Sequence, residues 1–404
     1  MLGPGILVAA TGVGAGDLAT GAFTGAALGT AVLWAVVVGA FVKFVLSEGL
    51  ARWQLVTGET LLEGAVGNLG RPVGLFFLLY LLPWTFFVAA ALMGACGATA
   101  HAILPIGDAA SDKILYGVLH GAVGIVLVRI GGYKLFEKVM GACIALMFVT
   151  VVFTAARIGP DLGEVARGLV VPAIPKLDSG GLEWTIALMG GVGGTVTVLS
   201  YGYWIREEGR ASIGNLAACR IDLAVGYAVT ALFGIAMVIV GSTIAVEGRG
   251  VGLIVSLSDR LGEELGPVGR ALFLAGAWGA VASSLLGVWQ AVPYLFADLA
   301  RLIRGRDASG QWPARADASS SVYRWVLVAM PTLSTLGLWI GFANMQRTYA
   351  ITGALFLPML ALVLLILNGP SRHVGREHRN RAATNVILVL TFLLFLGVFG
   401  FVLF

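Results

Sequence analysis

Charged residues are scarce in this sequence. Asp, Glu, Lys and Arg together make up only 12% of its 404 residues, whereas 58% are hydrophobic. A soluble protein of this length could not cover its surface with so few charges, and the mean hydropathy of +0.92 excludes that class. Apolar runs long enough for the roughly 20 residues of a membrane-spanning helix recur along the chain. The sequence therefore predicts an all-α integral membrane protein embedded in a lipid bilayer.

Residues that bind transition metals or carry out covalent chemistry are also few. The three cysteines, Cys96, Cys143 and Cys219, lie in or beside apolar segments without the spacing of a metal site, so we interpret them as small buried side chains. No Walker loop, catalytic triad or metal-hydrolase motif is present, and nothing in the sequence indicates an enzyme or a cofactor. The net charge of +4 reflects membrane topology and not binding to nucleic acid.

Hydropathy places eleven membrane spans along the chain. The connections between them are too short for a separate domain, which predicts a single transmembrane transporter domain over residues 1–404. We number the spans one to eleven, at about 3–25, 29–53, 73–104, 114–130, 136–157, 184–204, 221–246, 269–296, 323–343, 347–369 and 384–404.

The distribution of basic residues predicts how the spans are oriented. If the N-terminus is cytoplasmic, most of the 26 Lys and Arg residues, Lys43 among them, fall on the cytoplasmic side. This is the bias that the positive-inside rule describes. An odd number of spans then puts the C-terminus outside, and we expect a multi-pass protein of the cell membrane.

An acidic residue stands where glycines interrupt span one. Gly12, Gly14 and Gly16 precede Asp17 in a segment that is otherwise apolar. A bilayer does not tolerate unpaired backbone groups facing lipid, so a broken helix at this depth has to line an enclosed cavity. A carboxylate at the same depth is costly and indicates a functional site.

Span six carries a matching interruption. An offset of five spans inverts the second unit relative to the first, which predicts inverted repeats over about 1–157 and 184–369 and an extra helix at about 384–404. Paired interruptions of this kind mark the transport site of many secondary transporters. The alternative is that the glycines only allow helices to pack closely. The residues concerned are Gly190, Gly191, Gly193, Gly194, Thr195 and Thr197.

Four segments resemble the Nramp family of divalent-metal symporters, and the likeness covers nearly the whole chain. LGPGILVA opens span one much as that family opens. Ser47–Gly64 is similar to the family segment after its second span, Gly131–Val149 to its fourth-to-fifth connection, and Pro160–Pro175 to the stretch before its sixth span. The resemblance implies a transporter with a LeuT-type fold, in which two inverted five-span repeats carry broken helices one and six.

The chain departs from that family where the family binds metal. The family's first break reads Asp-Pro-Gly-Asn, and the matching run here is Gly14-Ala15-Gly16-Asp17. Its Met-Pro-His at the second break falls on Thr197-Val198-Leu199, and its span-ten glutamine falls on Phe356. The resemblance therefore implies a retained scaffold without the family's usual metal ligands.

The residues of the family's proton pathway are absent as well. Its acidic residues in span three fall on Ala91 and Gly94, and a histidine after the second break falls on Trp204. None of these side chains titrates, so the resemblance implies that the usual proton coupling is lost.

A hard divalent cation is the substrate that best fits what remains. Transition metals favour imidazole or thioether ligands, which both breaks lack, whereas Mg²⁺ favours oxygen ligands. We therefore favour a secondary-type transporter of an ion such as Mg²⁺, with Mn²⁺ also considered, and with Asp17 and Thr197 as metal ligands. The wider substrate site is expected to contain Gly14, Ala15, Gly16, Asp17, Gly194, Thr195, Thr197, Ser200, Tyr201 and Phe356.

Three alternatives stay open. Asp17 can instead cap the second half of span one by accepting from the N–H groups of residues 18–20. The protein can be a non-transporting relative that acts as a receptor or scaffold. The substrate can also be a small organic solute, such as an amino acid, in an aromatic pocket. That pocket would be formed by Tyr201, Tyr203, Trp204, Trp289, Gln290 and Phe356.

Other polar residues of the spans have structural interpretations. Glu48 and Arg52 are four residues apart, which predicts an ion pair or a gate. Asp222 is expected to pair with the basic run after span six. His101 and His120 are interpreted as hydrogen-bonded packing residues, with a proton relay as the less favoured alternative.

Overall fold

A computed structural model describes residues 3–243, 252–306, 312–313 and 317–403. These residues form helices and no strands. The α-helices are Pro4–Gly12, Gly21–Leu28, Leu33–Thr57, Leu61–Leu69, Arg71–Ile103, Ala109–Arg157, Leu162–Val170, Gly181–Gly191, Ser200–Glu207, Leu216–Ser242, Gly252–Arg304, Ser321–Ser334, Phe342–Ala354, Phe356–Asn368, Ser371–His378 and Ala382–Leu403. A π-helix spans Val13–Thr20, and 3-10 helices span Gly29–Val32, Leu177–Ser179, Val196–Leu199, Ile213–Asn215 and Thr335–Trp339.

Long apolar helices confirm the all-α membrane class. Seven helical segments of the described chain are long and apolar enough to cross a bilayer, and a bent pair of helices would make eight. A helix also lies at each of the eleven predicted positions, because kinks and breaks divide several spans into shorter helices. Large apolar side chains stay exposed around the molecule, among them Phe41, Leu79, Ile130 and Leu390. Such a surface is suited to lipid and not to water.

The segment between spans four and five is helical. We expected a connection at 131–135, but both spans lie in one helical segment, Ala109–Arg157. The letters GGYK interrupt the apolar run, yet the backbone there continues the helix. Hydropathy follows the polarity of side chains and does not report the path of the backbone.

Span one widens at its interruption and does not unwind. Two α-helical halves, Pro4–Gly12 and Gly21–Leu28, flank the π-helix Val13–Thr20. A π-helix bonds N–H groups to the carbonyl five residues earlier, so the segment keeps a helical pattern of backbone hydrogen bonds, while the N–H of Gly14 donates to the hydroxyl of Ser284. The break that the sequence predicts at this depth therefore takes the form of a wide helical turn.

The glycines of span one allow close packing, which was the alternative interpretation of them. A Cβ atom on Gly12 would stand 2.3 Å from the carbonyl carbon of Gly193, and one on Gly14 would stand 2.3 Å from the hydroxyl oxygen of Ser284. A Cβ atom on Gly25 would stand 2.2 Å from the carbonyl oxygen of Val238. At these glycines the backbone of span one packs directly against spans six, seven and eight.

Span six has the interruption that its sequence predicts. Its first half, Gly181–Gly191, is followed by Gly193 and Gly194, whose φ angles of 74° and 83° lie in the region that favours glycine. The second half begins as the 3-10 helix Val196–Leu199 and continues as the α-helix Ser200–Glu207. The backbone between the halves leaves the helical path, and its carbonyl groups become available to side chains.

Two of the scarce cysteines have the environment predicted for them. Cys96 and Cys219 are buried and free of disulfide bonds. The side chain of Cys143 lies outside the part of the chain that the structure describes.

Candidate functional site

Asp17 lies where the interruptions of spans one and six meet. Its side chain is fully buried, and its Oδ2 accepts a hydrogen bond from the backbone N–H of Gly193 at 3.2 Å. Its Oδ1 has no hydrogen-bond partner among the residues that the structure describes. The alternative that Asp17 caps residues 18–20 is wrong, because the π-helix continues through them and the carboxylate bonds to span six instead.

Lys43 of span two is the second charged residue at this point. Its ammonium is fully buried and donates to the carbonyl oxygen of Gly190 at 2.6 Å and to that of Val192. Both carbonyls lie where the first half of span six ends, and the last carbonyls of a helix carry a partial negative charge. The break in span six therefore forms a binding place for a positive group.

The expected cytoplasmic position of Lys43 is wrong. Lys43 lies within the helix Leu33–Thr57 and is fully buried. Its charge is accommodated there because the interruption of span six supplies carbonyl oxygens that no helix uses.

The formal charges of Asp17 and Lys43 cancel. The two groups attract each other electrostatically. The attraction acts through space, since the Lys43 ammonium donates to carbonyl groups and Asp17 Oδ1 has no partner. A buried charge is costly unless another charge or hydrogen bonds compensate it, and each of these groups has part of that compensation.

Thr195 is held from three sides directly after the break. Its hydroxyl accepts the indole N–H of Trp84 at 3.1 Å, and the hydroxyl of Tyr349 lies close to it. A Cβ atom on Gly353 would stand 2.5 Å from the Thr195 methyl carbon. Spans three and ten thus fix Thr195 in place, and its oxygen is already used by Trp84.

Near the interruptions, three buried oxygens lack a hydrogen-bond partner in the described part of the chain. They are Asp17 Oδ1, the hydroxyl of Thr20 one turn later in the same π-helix, and the hydroxyl of Ser200 at the start of the second half of span six. Thr197 belongs to the 3-10 helix Val196–Leu199 after the second break, and its hydroxyl oxygen is 2.7 Å from where a Cβ atom on Gly194 would stand. Buried polar atoms are nearly always bonded, so unpaired ones indicate a place for an ion, water or a polar solute.

The remaining residues of the predicted first break lie in the π-helix. The backbone N–H of Gly14 donates to the hydroxyl of Ser284 in span eight at 2.8 Å. Ala15 and Gly16 continue the π-helix, but their side-chain surroundings lie outside what the structure describes.

Tyr201 and Phe356 lie in other environments. The Tyr201 hydroxyl bonds to Asp222 at 3.2 Å. Phe356 stacks on Tyr80 with ring centroids 6.4 Å apart, and it borders an apolar cavity of about 490 Å³ between spans three and ten. That cavity also reaches Leu199 of the second break.

The aromatic residues considered for an organic solute are spread over several neighbourhoods. Tyr203 donates to Asp298 at 2.9 Å, and Trp204 donates to Gln290 at 3.0 Å. Trp289 donates instead to a backbone carbonyl of span four at 3.1 Å. Each of these side chains has a structural partner of its own.

A buried amide lies where the resemblance places the family's proton pathway. Gln346 of the helix Phe342–Ala354 is fully buried, and its Nε2 donates to the carbonyl oxygen of Ala91 at 2.8 Å. Within the described ranges its Oε1 has no hydrogen-bond partner. A neutral amide therefore contacts the position at which the family has an acid.

Buried charges close the end of the molecule at which the second half of span six terminates. Arg301 pairs with Glu63 at 2.5 Å and with Asp298 at 2.6 Å, and Tyr203 of span six donates to the same Asp298. All three charged side chains are nearly inaccessible to solvent. The second half of span six is thereby tied to the end of the helix Gly252–Arg304 and to the helix Leu61–Leu69.

The two ion pairs predicted near this end are confirmed. Arg210 pairs with Asp222 at 3.1 Å, and Asp222 also accepts the backbone N–H of Gly5 at 2.8 Å. Glu48 pairs with Arg52 at 3.3 Å. The start of span one is therefore anchored to span seven.

Aromatic rings close the opposite end. The Phe23 ring centroid lies 5.7 Å from that of Trp184 and 6.0 Å from that of Phe342. Beside them Arg347 pairs with Glu183 at 3.0 Å, with side chains 41% and 39% exposed. Asp17 and Lys43 are fully buried between the two ends, so neither side chain is accessible to solvent in this structure.

Both histidines of spans three and four have the hydrogen bonds predicted for packing residues. Nδ1 of His101 lies 2.7 Å from a carboxylate oxygen of Asp112. His120 accepts the indole N–H of Trp278 at 2.8 Å on Nε2, and its Nδ1 bonds to the carbonyl of Tyr116 at 2.7 Å.

Sequence reasoning missed Lys43 as a site residue, although a signal was present. Lys43 is the one charged residue in the run LWAVVVGAFVKFVLS. A lone charge within an apolar span indicates a functional site by the same physical argument that selected Asp17. No comparable signal selects Thr20, whose hydroxyl is unremarkable in a glycine-rich segment.

Two known transporters are similar to this chain in sequence. The chain is 24% identical over 310 residues to the "Divalent metal cation transporter MntH" of Yersinia enterocolitica, an alignment that covers 71% of each chain. A second MntH, from Pectobacterium carotovorum, is 23% identical over 252 residues, or 59% of this chain and 57% of the relative.

Solved structures have the same fold. A mutant of the Eremococcus coleocola manganese transporter superposes with a TM-score of 0.72 at 18% identity, over 98% of this chain and 84% of that one. MhsT in complex with L-phenylalanine gives 0.65 at 17% identity, over 98% and 97%. The LeuT-type fold is therefore established. The family model described as "Natural resistance-associated macrophage protein-like", or Nramp, matches residues 5–404. The chain, with its two facing interruptions in spans one and six, therefore belongs to the Nramp family.

Proposed function

We propose that this protein is a secondary transporter that carries a divalent metal cation through the meeting point of spans one and six. The observation that supports this best is the environment of Lys43. Carbonyl oxygens of Gly190 and Val192 hold its positive group beside a carboxylate, Asp17, that has a free oxygen. The same point can stabilise a metal cation. Relatives described as divalent metal cation and manganese transporters supply the class of ion.

The ligand chemistry favours a hard ion such as Mg²⁺. In the described part of the chain, no three His, Cys, Asp or Glu side chains come together as a metal site. The proposed ligands are Asp17 Oδ1, the hydroxyl of Thr197 and the carbonyl groups of the second break, with water filling the other positions. Oxygen-only, partly hydrated coordination suits Mg²⁺ better than softer transition metals.

The proposed transport cycle is alternating access, in which the site opens to the two sides of the membrane in turn. Residues 1–157 and 184–369 are taken as the two repeats, whose relative movement opens the buried site to one face at a time. We place the N-terminus in the cytoplasm and the C-terminus outside, in the cell membrane. The buried network around Arg301 then closes the cytoplasmic end.

Transport is proposed to lack the family's usual proton coupling. Ala91 and Gly94 carry no titratable group, and the amide of Gln346 contacts the Ala91 carbonyl in their place. Proteoliposomes that contain a pH dye should therefore show no acidification when an inward Mg²⁺ or Mn²⁺ gradient drives uptake. Acidification that saturates with metal concentration would contradict this part of the proposal.

The central test is Mg²⁺ uptake into proteoliposomes that contain a Mg²⁺-sensitive dye. Asp17→Asn should reduce uptake at least about tenfold, because the one anionic ligand is removed. Asp108→Asn is the matched control. Asp108 lies outside the spans, and hydrogen bonds from Ser111 lower the pKa of its carboxyl. It caps a helix by accepting the N–H of Ala110, and Asn caps helices equally well. Equal uptake by the wild type and Asp17→Asn would overturn the assignment.

One observation favours a second candidate, a zwitterionic organic solute. The cancelling charges of Asp17 and Lys43 are complementary to a molecule that carries one ammonium and one carboxylate. A thermal-shift screen of the purified protein against amino acids and divalent cations separates the two, because a ligand of the folded state raises its melting temperature. Stabilisation by an amino acid, with every metal silent, would favour this candidate over metal transport.

A further inference from the structure

The Lys43 ammonium occupies a place that a metal ion would need. It donates to the carbonyls of Gly190 and Val192, the oxygens that the interruption of span six releases. It is fully buried in the middle of its helix, Leu33–Thr57, and attracts Asp17 through space. The protein thus provides its own cation at the second break.

An ammonium and a metal ion cannot both use these carbonyls. Each oxygen would have to face two cations a few ångströms apart, and the repulsion between such charges is strong where no water screens it. Metal binding therefore requires the Lys43 side chain to leave the break.

Span two offers the ammonium another acceptor one turn further along. The hydroxyl of Ser47, at the i+4 position from Lys43, lies 2.7 Å from that of Tyr227. Tyr227 itself borders the break, since a Cβ atom on Gly193 would stand 2.9 Å from its ring. The four-carbon stem of a lysine has enough freedom to move its charge between neighbouring acceptors on one helix face.

We infer that Lys43 is a tethered competitor of the transported cation and sets the metal affinity of the site. This inference rests on the proposed function for its choice of ligand. When Lys43 donates to the break carbonyls, the site is self-occupied and metal is excluded. When its side chain turns towards Ser47, the carbonyls and Asp17 Oδ1 become free for the metal ion.

The test compares uncharged and charged replacements of Lys43 by isothermal titration with Mg²⁺ in detergent. Lys43→Gln keeps an N–H donor for the carbonyls without the charge, and Lys43→Met keeps only the chain length. Both should bind Mg²⁺ at least about tenfold more tightly than the wild type, because a repelling charge is removed. Lys43→Arg keeps the charge and should not tighten binding.

Lys113→Met is the matched control. Lys113 is also a buried lysine that donates to a backbone carbonyl, that of Ile340 at 3.1 Å, but it lies just before span four, near the start of the helix Ala109–Arg157. Its replacement should leave Mg²⁺ affinity unchanged. Adding Asp17→Asn to Lys43→Gln should remove the gained affinity, which would locate the ion at the interruptions.

The outcomes separate this inference from the proposed function. Uptake by the wild type, with Lys43→Gln folded but binding no tighter, overturns the competitor role and leaves metal transport standing. Tight binding by Lys43→Gln, with no uptake by the wild type, supports the competitor role and overturns metal transport. Absence of Mg²⁺ binding in every variant overturns both.

Discussion

Gly12 is the residue at which the backbones of spans one and six touch. A Cβ atom at this position would stand 2.3 Å from both the carbonyl carbon of Gly193 and the nitrogen of Gly194. Because both neighbours are backbone, no side-chain rotation can relieve the clash. We expect Gly12→Ala to lower the free energy of unfolding by about 1–3 kcal/mol, the usual cost of overpacking, and to abolish transport.

Gly397→Ala is the control for this prediction. No atom of the described residues lies within 4 Å of a Cβ atom at Gly397 in the last helix, so this variant should melt at or slightly above the wild-type temperature. Thermal melts in detergent compare the two. A Gly12→Ala protein that melts and transports like the wild type would show that the interruptions do not need this contact.

The sequence predicts the place of Asp17 in the site but not that of Lys43. Asp17 was predicted, because an acid follows a cluster of glycines in an apolar span. Lys43 was assigned to the cytoplasmic side, since the positive-inside rule counts basic residues without regard to partners. Its burial depends on the carbonyls of Gly190 and Val192, which are far away in sequence and released only by the tertiary structure.

The second half of span six is the element best placed to act as a gate. The hydroxyl of Tyr203 donates to Asp298 at 2.9 Å, which joins this segment to the end of the helix Gly252–Arg304. Tyr203→Phe removes this bond and leaves the ring, so the segment should open more often. We expect the thiol of Thr197→Cys, in a background without native cysteines, to react several-fold faster with a charged reagent.

Tyr116→Phe serves as the matched control for the gate. The Tyr116 hydroxyl donates to the carbonyl of Leu104 at 2.8 Å, a contact at the surface and away from the interruptions. Its loss should not change the reaction rate of Thr197→Cys. Equal rates in the Tyr203→Phe and control backgrounds would argue that another contact holds the gate closed.

The form of each interruption was less predictable than its position. Glycine clusters located both, and in span six the positive φ angles of Gly193 and Gly194 match that expectation. In span one the same pattern gives the π-helix Val13–Thr20, whose glycines are selected by contacts with other spans. A single sequence shows where glycine occurs, but not whether its freedom or its small size is used.

The molecule as a whole is closed more firmly at one end than at the other. The Arg301 network is buried, whereas the pair of Arg347 and Glu183 is about two-fifths exposed. Removing one member of a buried ionic network costs about 3–5 kcal/mol, and a surface pair contributes about 0–1 kcal/mol. We therefore expect Arg301→Gln to lower the melting temperature markedly and Arg347→Gln to change it little.

Hydrogen exchange measured by mass spectrometry would show which end loosens. In the wild type, exchange in Ser200–Glu207 should be slower than at the start of Gly181–Gly191, since buried contacts raise the free energy of local opening. Arg301→Gln should speed exchange in the first of these segments. Equal exchange at both ends in the wild type would contradict this asymmetry.

The π-helix of span one resembles a dislocation in a crystal: one surplus residue within an otherwise regular row. Such a defect can travel, because a wide turn becomes a normal one when single hydrogen bonds are exchanged in sequence, and the surplus residue is passed to the next turn. No backbone group needs to face lipid unpaired while this happens. Migration of the wide turn along Val13–Thr20 would rotate Asp17 about the helix axis, and so turn its carboxylate without unfolding the span.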